Sequence, residues 1–385
     1  MLDRRSFIKH PQGVELILNR FVNSCRKIST LSFEIAGTNQ PRMVYIGGWK
    51  GNDNLGDEAL FLAYKRLFPR YNFVHYPTKA GRILTLMCKV LKPTRVAVLS
   101  GGTLINRSEN YLAAMRECSD IFPKLVIFGT GVANPVFWSR YPEWKDTLKQ
   151  WKPLLERCVY VGVRGSISAE ILKDIGINAE VIGDPVISFC DGETALKEKV
   201  MPESVGFNIA NPHGKVWGNE ETIQKEFTIL AKLAKKAGWK VRWFIIWPRD
   251  REITLQTARD SGTEAEVYEI YREPDLFLRL VRPLSVFVGM KLHAVVLATC
   301  AYVPSVMLEY RPKCRDYMRS IEQEAFTVRT DRFTAGYVWD LISSLNVGRN
   351  RLSHILSEKV KFLRDKQISK ASDLMKMFSE SNKNM

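Results

Sequence analysis

The chain alternates short apolar runs with amphipathic stretches. Met43-Val44-Tyr45-Ile46 is β-branched and aromatic and stops at Gly47-Gly48, the mark of a buried strand entering a loop. Ala59–Phe68 then carries apolar residues at helical spacing. The unit recurs. Arg95–Ser100 runs into Gly101-Gly102-Thr103, and Leu125–Phe128 into Gly129-Thr130-Gly131. Tyr160–Val163 runs into Arg164-Gly165-Ser166 and the helix Ile167–Ile175, and Ala179–Ile182 into Gly183-Asp184-Pro185. Cys190–Pro202 is polar and aperiodic. A second series follows, with strands Val205–Ile209, Lys240–Trp247, Glu266–Ile270, Ser285–Val288 and Ser305–Tyr310. Its helices are Glu220–Ala237, Asp275–Arg282 and Leu292–Ala301.

Strands alternating with helices predict parallel sheets covered on both faces, and the aperiodic break predicts two of them. The expected organisation is a basic helical extension over residues 1–42, an α/β domain over 43–195, a second over 203–336, and a helical tail over 337–385 packing back across both. Two Rossmann-like domains facing across a cleft make a GT-B-like architecture, here with a basic helical C-terminal segment.

The chain is long enough to fill two such cores, with 385 residues of which 45% are hydrophobic. No window approaches eighteen uninterrupted apolar residues, which excludes a membrane-spanning helix. The N-terminus lacks the apolar core and cleavage site of a signal peptide. Seven scattered cysteines without a C-x-x-C pair read as reduced thiols rather than disulfides or a zinc site. These features predict a cytoplasmic protein.

The net charge of +16 is uneven. Residues 1–42 hold seven Lys/Arg against three Asp/Glu (+4), and residues 349–385 hold nine against four (+5). No nucleic-acid motif accompanies them, and the tails are not interleaved with stacking aromatics. An anionic membrane surface at the cytosolic face is the expected partner, each basic side chain near it contributing about 1 kcal/mol.

Candidate chemistry gathers where strands end. Met290-Lys291-Leu292-His293 sits between a strand and a helix, where open α/β sheets keep ligands and unpaired amides favour anions. Lys313 stands at the mouth of the next strand. Of five histidines only His213 and His293 occupy motif-like loops, and His293 is the candidate for acid–base work. The loop Gly47–Glu58 has neither a dinucleotide nor a P-loop signature. Either Asp57 caps the following helix, or Asn54, Asp57 and Glu58 contact substrate hydroxyls, with a carboxylate as general base. Its oxygen ligands do not match the twelve-residue calcium pattern. Arg164 either pairs with a neighbouring acid or aims a planar donor at a carboxylate or phosphate.

The segments GGWKGNDNLGDEAL, GGT, GTGVANP, VGVRGSISAEIL, GDPVIS and GMKLHAVVLATCAYVPSVMLEYRPK, in that order, resemble the polysaccharide pyruvyl transferase family over about residues 43–320. The family's V-x-x-R-x-x-x-S arginine matches Arg164, its R-L-H motif Lys291-Leu292-His293, its downstream lysine Lys313, and its N-x-G-D-E loop Asn54, Gly56, Asp57 and Glu58. Lysine replaces arginine at position 291, keeping the charge without the two-pronged fork. The resemblance implies transfer of pyruvate from phosphoenolpyruvate onto two hydroxyls of a sugar, forming a cyclic ketal. The acceptor would be a cell-envelope or capsular glycan, free or lipid-linked. It implies no metal and no cofactor beyond phosphoenolpyruvate as co-substrate. The donor would meet Arg164, Lys291, His293 and Lys313, with the C-terminal domain as the phosphoenolpyruvate side. The acceptor would meet Asn54, Asp57, Glu58, Gly102, Thr103 and Thr130 on the N-terminal side, with His293, Asp57 and Glu58 as catalytic groups. Two rivals of other kinds are a nucleotide-sugar glycosyltransferase of the same fold and a non-catalytic membrane-surface binding protein. Nothing in the sequence fixes the oligomeric state.

Overall fold

The computed structural model describes residues 41–48, 51–76, 96–190, 196 and 199–380. The extension expected over residues 1–42 lies outside the described residues apart from its last two positions. Among the described residues, β1 (Arg42–Ile46), β2 (Asn72–Tyr76), β3 (Val96–Leu99), β4 (Gly102–Ile105), β5 (Lys124–Val132), β6 (Tyr160–Val163) and β7 (Glu180–Val181) form one sheet. Its order is β2-β1-β3-β5-β6-β7, with β4 pairing β5. The second sheet holds β8 (Ser204–Asn208), β9 (Lys240–Ile245), β10 (Val267–Glu269), β11 (Val286–Gly289), β12 (Ser305–Glu309) and β13 (Thr327–Arg329), in the order β10-β9-β8-β11-β12-β13. Every pairing is parallel; Val288, for example, lies between Phe207 and Val306. Strands β3, β8, β11 and β12 are buried at every position, as parallel strands covered by helices on both faces must be. The structure is thus an α/β, GT-B-like pair of sheets with a helical C-terminal region.

Each sheet has a switch point. The chain leaves β1 toward β2 on one side and returns as β3 on the other, and β8 and β11 stand in the same relation. Loops leaving neighbouring strands part there and open a crevice. The loops after β1 and β3 come from one sheet, those after β9, β11 and β12 from the other, and together they line one cleft.

Two details differ from the sequence pattern. The Gly102-Thr103 step opens a short strand, and Gly129-Thr130-Gly131 lies inside β5, which runs on to Val132. A register shift between Phe128 and Thr130 marks a bulge there, made possible by Gly129 at φ 69°. The helix Leu55–Leu67 is capped by Asn54, whose Oδ1 accepts from the Gly56 amide at 3.1 Å. Asp57 lies in its first turn and is not the cap.

Leu55, Ala59, Leu60 and Ala63 of this helix and Val186, Ile187 and Phe189 of the turn Pro185–Phe189 belong to the core of the second sheet. At about 1.5–3 kcal/mol for each large side chain, this seam resists separation of the halves. A 32-residue helix, Arg349–Glu380, spans both. Leu356, Val360 and Leu363 pack in the shared core, whereas Ala371, Leu374 and Phe378 pack against the outer face of the first sheet. Some of its basic charge meets carboxylates within the protein, Lys359 at Glu322 and Lys366 and Lys370 at Glu180.

Candidate active site

The cleft has a volume of about 280 Å³ and takes side chains from both halves. The N-terminal half contributes Asn54, Asp57, Gly102, Thr103 and Tyr111. The C-terminal half contributes Trp247, Lys291, His293, Tyr310, Arg311 and Lys313.

His293 lies in the first turn of the helix Leu292–Cys300, in which every other residue is buried. An apolar helix with a single open histidine at its start presents that ring to the cleft. Its Nε2 lies 3.6 Å from Asp184 Oδ2 and is closed off from solvent, so Nδ1 is the nitrogen left for the cleft. The ring rests against Gly56 of the opposite half, where any β-carbon would overlap Nδ1. Asp184 follows β7 and is completely buried. Burial pushes its carboxyl up, yet His293 and Arg164 hold it below the usual range. The Val186 amide donates to Asp184 Oδ1 at 3.0 Å. A buried carboxylate beside one imidazole nitrogen orients the ring toward the cleft.

Across the cleft, Asn54 Nδ2 donates to Asp57 Oδ2 at 3.0 Å. Burial raises the Asp57 carboxyl, with His293 and Lys313 pulling the other way; a raised carboxyl can take up and return a proton. Lys291 caps the helix that carries His293. Its Nζ lies 3.4 Å from Asp250 Oδ2 and stands over the Trp247 ring, 4.3 Å from the centroid. Its backbone amide donates to Asn208 Oδ1 at 2.9 Å, tying the loop after β11 to the end of β8. Lys313 opens the helix Lys313–Ser320, and burial and the Arg311 guanidinium lower its ammonium to about 7.

Three candidates from the sequence lie off the cleft. Arg164 is completely buried. Its Nη2 lies 3.3 Å from Thr103 Oγ1, which does line the cleft, and 3.4 Å from Asp316 Oδ2. Glu58 accepts from the Gly51 amide. Thr130 is buried in β5 and donates to the Gly102 carbonyl at 3.3 Å. Sequence reasoning passed over Asp184, Asp250, Arg107, Tyr111, Trp247 and Tyr310. Asp184 had a visible signal, Gly-Asp-Pro at a strand end; Arg107 had none. Among the described residues no three His, Cys, Asp or Glu side chains gather to ligate a metal.

A family model for polysaccharide pyruvyl transferase matches residues 54–312. No curated protein matches the chain. A Listeria monocytogenes structure assigned as a UDP-N-acetylglucosamine 2-epimerase superposes with a TM-score of 0.56 at 10% identity, over 88% of this chain and 97% of that one. The S. aureus MnaA–UDP co-structure gives 0.53 at 11%, over 83% and 91%. A Methanocaldococcus jannaschii UDP-GlcNAc 2-epimerase with UDP-GlcNAc and UDP gives 0.50 at 12%, over 80% and 92%. At such identities the likeness is one of fold.

Proposed function

The chain belongs to the polysaccharide pyruvyl transferase family, and from that premise we propose that it moves pyruvate from phosphoenolpyruvate onto two hydroxyls of a sugar in a cell-envelope or capsular glycan. The observation that carries this reading is the His293–Asp184 pair facing the raised carboxyl of Asp57 across a cleft edged by Lys291, Arg311 and Lys313. A carbon acid and an oxygen base on opposite walls, with cations between, are what ketal formation from an enol phosphate requires.

His293, as imidazolium, gives its proton to the methylene carbon of the donor and leaves an oxocarbenium centre at C2. A sugar hydroxyl attacks C2, and its proton passes to Asp57. The bond from C2 to the phosphate oxygen then breaks, and Asp57 returns its proton to the departing phosphate. The second hydroxyl closes the ring at C2 and its proton restores His293. Phosphoenolpyruvate and a diol thus become a pyruvate ketal and hydrogen phosphate. Lys291 and Lys313 offset the donor's charge throughout, and Tyr111 offers its ring to a sugar.

A ligand bound only by the folded state raises the melting temperature. Phosphoenolpyruvate is expected to do so and UDP-sugars are not; a shift with UDP-sugars alone would replace this reading with glycosyl transfer.

A further inference from the structure

The cations around the cleft differ in whether their charge is already answered. Lys291 faces Asp250 and His293 faces Asp184. Beside the cleft lies a smaller chamber of about 120 Å³ that shares Thr103, Arg311 and Lys313 with it and adds Arg107, Asn134 and Trp138. Among the described residues, none of the chamber's three cations has a carboxylate within ion-pair distance. Among the described residues, Arg311 donates to the Lys215 and Pro212 carbonyls, at 2.7 and 2.9 Å, which holds the guanidinium in place without neutralising it. Arg107 stacks on the Trp138 indole, 3.8 Å from the ring centroid. Lys313 stands over the Tyr310 ring at 5.0 Å. Burial and the neighbouring Arg311 lower the basicity of both Arg107 and Lys313. Three like charges gathered in one partly dry chamber are unfavourable until an anion joins them.

We propose that this side chamber is the subsite for the donor's phosphoryl group, held by Arg107, Arg311 and Lys313 with Trp138 as the platform that orients Arg107. The assignment rests on the phosphoenolpyruvate reading and deepens it. The carboxylate of the donor then faces Lys291, and its methylene carbon lies in the main cleft with His293. Planar guanidinium forks suit a phosphate dianion, and the larger cleft is left for the sugar. Arg164 acts here through Thr103: its Nη2 donates to the Thr103 hydroxyl oxygen, leaving that hydroxyl's proton to donate to the ligand. Arg107 and Trp138 also line an open outer groove with Lys145 and Lys215.

Calorimetric titration of the full-length protein with phosphoenolpyruvate, and separately with inorganic phosphate, tests the assignment. Arg107→Ala is expected to weaken both by about 10- to 100-fold, and Arg107→Lys by less. The KM of the sugar acceptor should not change. Lys313→Met should weaken both ligands as well, which keeps the test open if one variant fails to fold. Dissociation constants within twofold of wild type in both Arg107→Ala and Lys313→Met would overturn the subsite. So would a raised acceptor KM with donor binding untouched, since the phosphoryl group would then belong to the acceptor. Wild-type protein that binds phosphate through Arg107 but not phosphoenolpyruvate would uphold the subsite and remove the donor reading. Binding of neither would remove both.

Discussion

At the scale of single residues, the site depends on groups moved away from their ordinary acidities. Lys313, lowered to about 7, is charged below that pH and neutral above it. An anionic donor favours the charged form, so kcat/KM for phosphoenolpyruvate should fall as pH rises through about 7, and Lys313→Arg should flatten that limb. A pH–rate profile of both proteins checks this; an unchanged limb in the variant assigns it to another group. Stability runs the opposite way at this residue. Between about 7 and 10.5 the unfolded chain holds a proton that folded Lys313 has shed, so this residue's contribution to stability grows with pH across that window. Lys291, His293, Lys313 and Asp57 were legible in the sequence because each lies in the loop after a strand or at the start of the helix that follows it, where chain order and site coincide. Arg107 and Trp138 were not, since what gives them meaning is each other and Arg311, partners that only the fold supplies.

Among the elements, the helix Arg349–Glu380 reaches the chemistry without touching the cleft. Gln367 is completely buried and its Nε2 donates to the carbonyls of Ile182 and Asp184, at 2.8 and 2.9 Å. It holds the turn that sets Asp184 beneath His293. Gln367→Leu leaves the Ile182 carbonyl without its donor and takes one of two donors from that of Asp184, which keeps the Ile187 amide at 3.0 Å, and should cost about 1–3 kcal/mol, read as a lower urea midpoint. It should also lower kcat with little change in KM for phosphoenolpyruvate, and Gln367→Glu, which keeps one side-chain oxygen in place of the donor, should not restore it. A loss of stability with kcat unchanged would make Gln367 merely structural. The sequence indicated a helical, basic tail suited to packing back across the chain. It did not disclose a polar anchor, since one glutamine among many polar positions carries no periodic signal. The bulge in β5 was hidden for a related reason. Gly129-Thr130-Gly131 reads as a loop, and only pairing with β4 and β6 keeps it extended.

For the whole molecule, the question is how two halves hold one geometry. Asp316, on the helix that begins at Lys313, accepts from Ser168 N and Ser168 Oγ at 3.0 and 2.7 Å and pairs with Arg164 at 3.4 Å. All three groups are buried, and Gly165 permits the approach, since a side chain there would overlap the Asp316 backbone. Asp316→Ala strands the Arg164 charge in the interior and should cost about 3–5 kcal/mol. Denaturant unfolding checks this, and a loss below about 1 kcal/mol, the range of exposed pairs, would contradict a buried clamp. Both sheets were legible in the sequence, because strands buried on two faces read as continuous apolar runs. The seam was not: Leu55, Leu60 and Ala63 form an ordinary apolar stripe whose partner in the other half is invisible along the chain. Whether His293 protonates the donor's methylene carbon as the sugar attacks is decided by running the reaction in D₂O with phosphoenolpyruvate and candidate glycans and reading the product by mass spectrometry. The account predicts a pyruvate ketal carrying solvent deuterium in its methyl group, made by the wild type and not by a folded His293→Ala variant. A ketal without that deuterium, or one formed equally well by the variant, would contradict it.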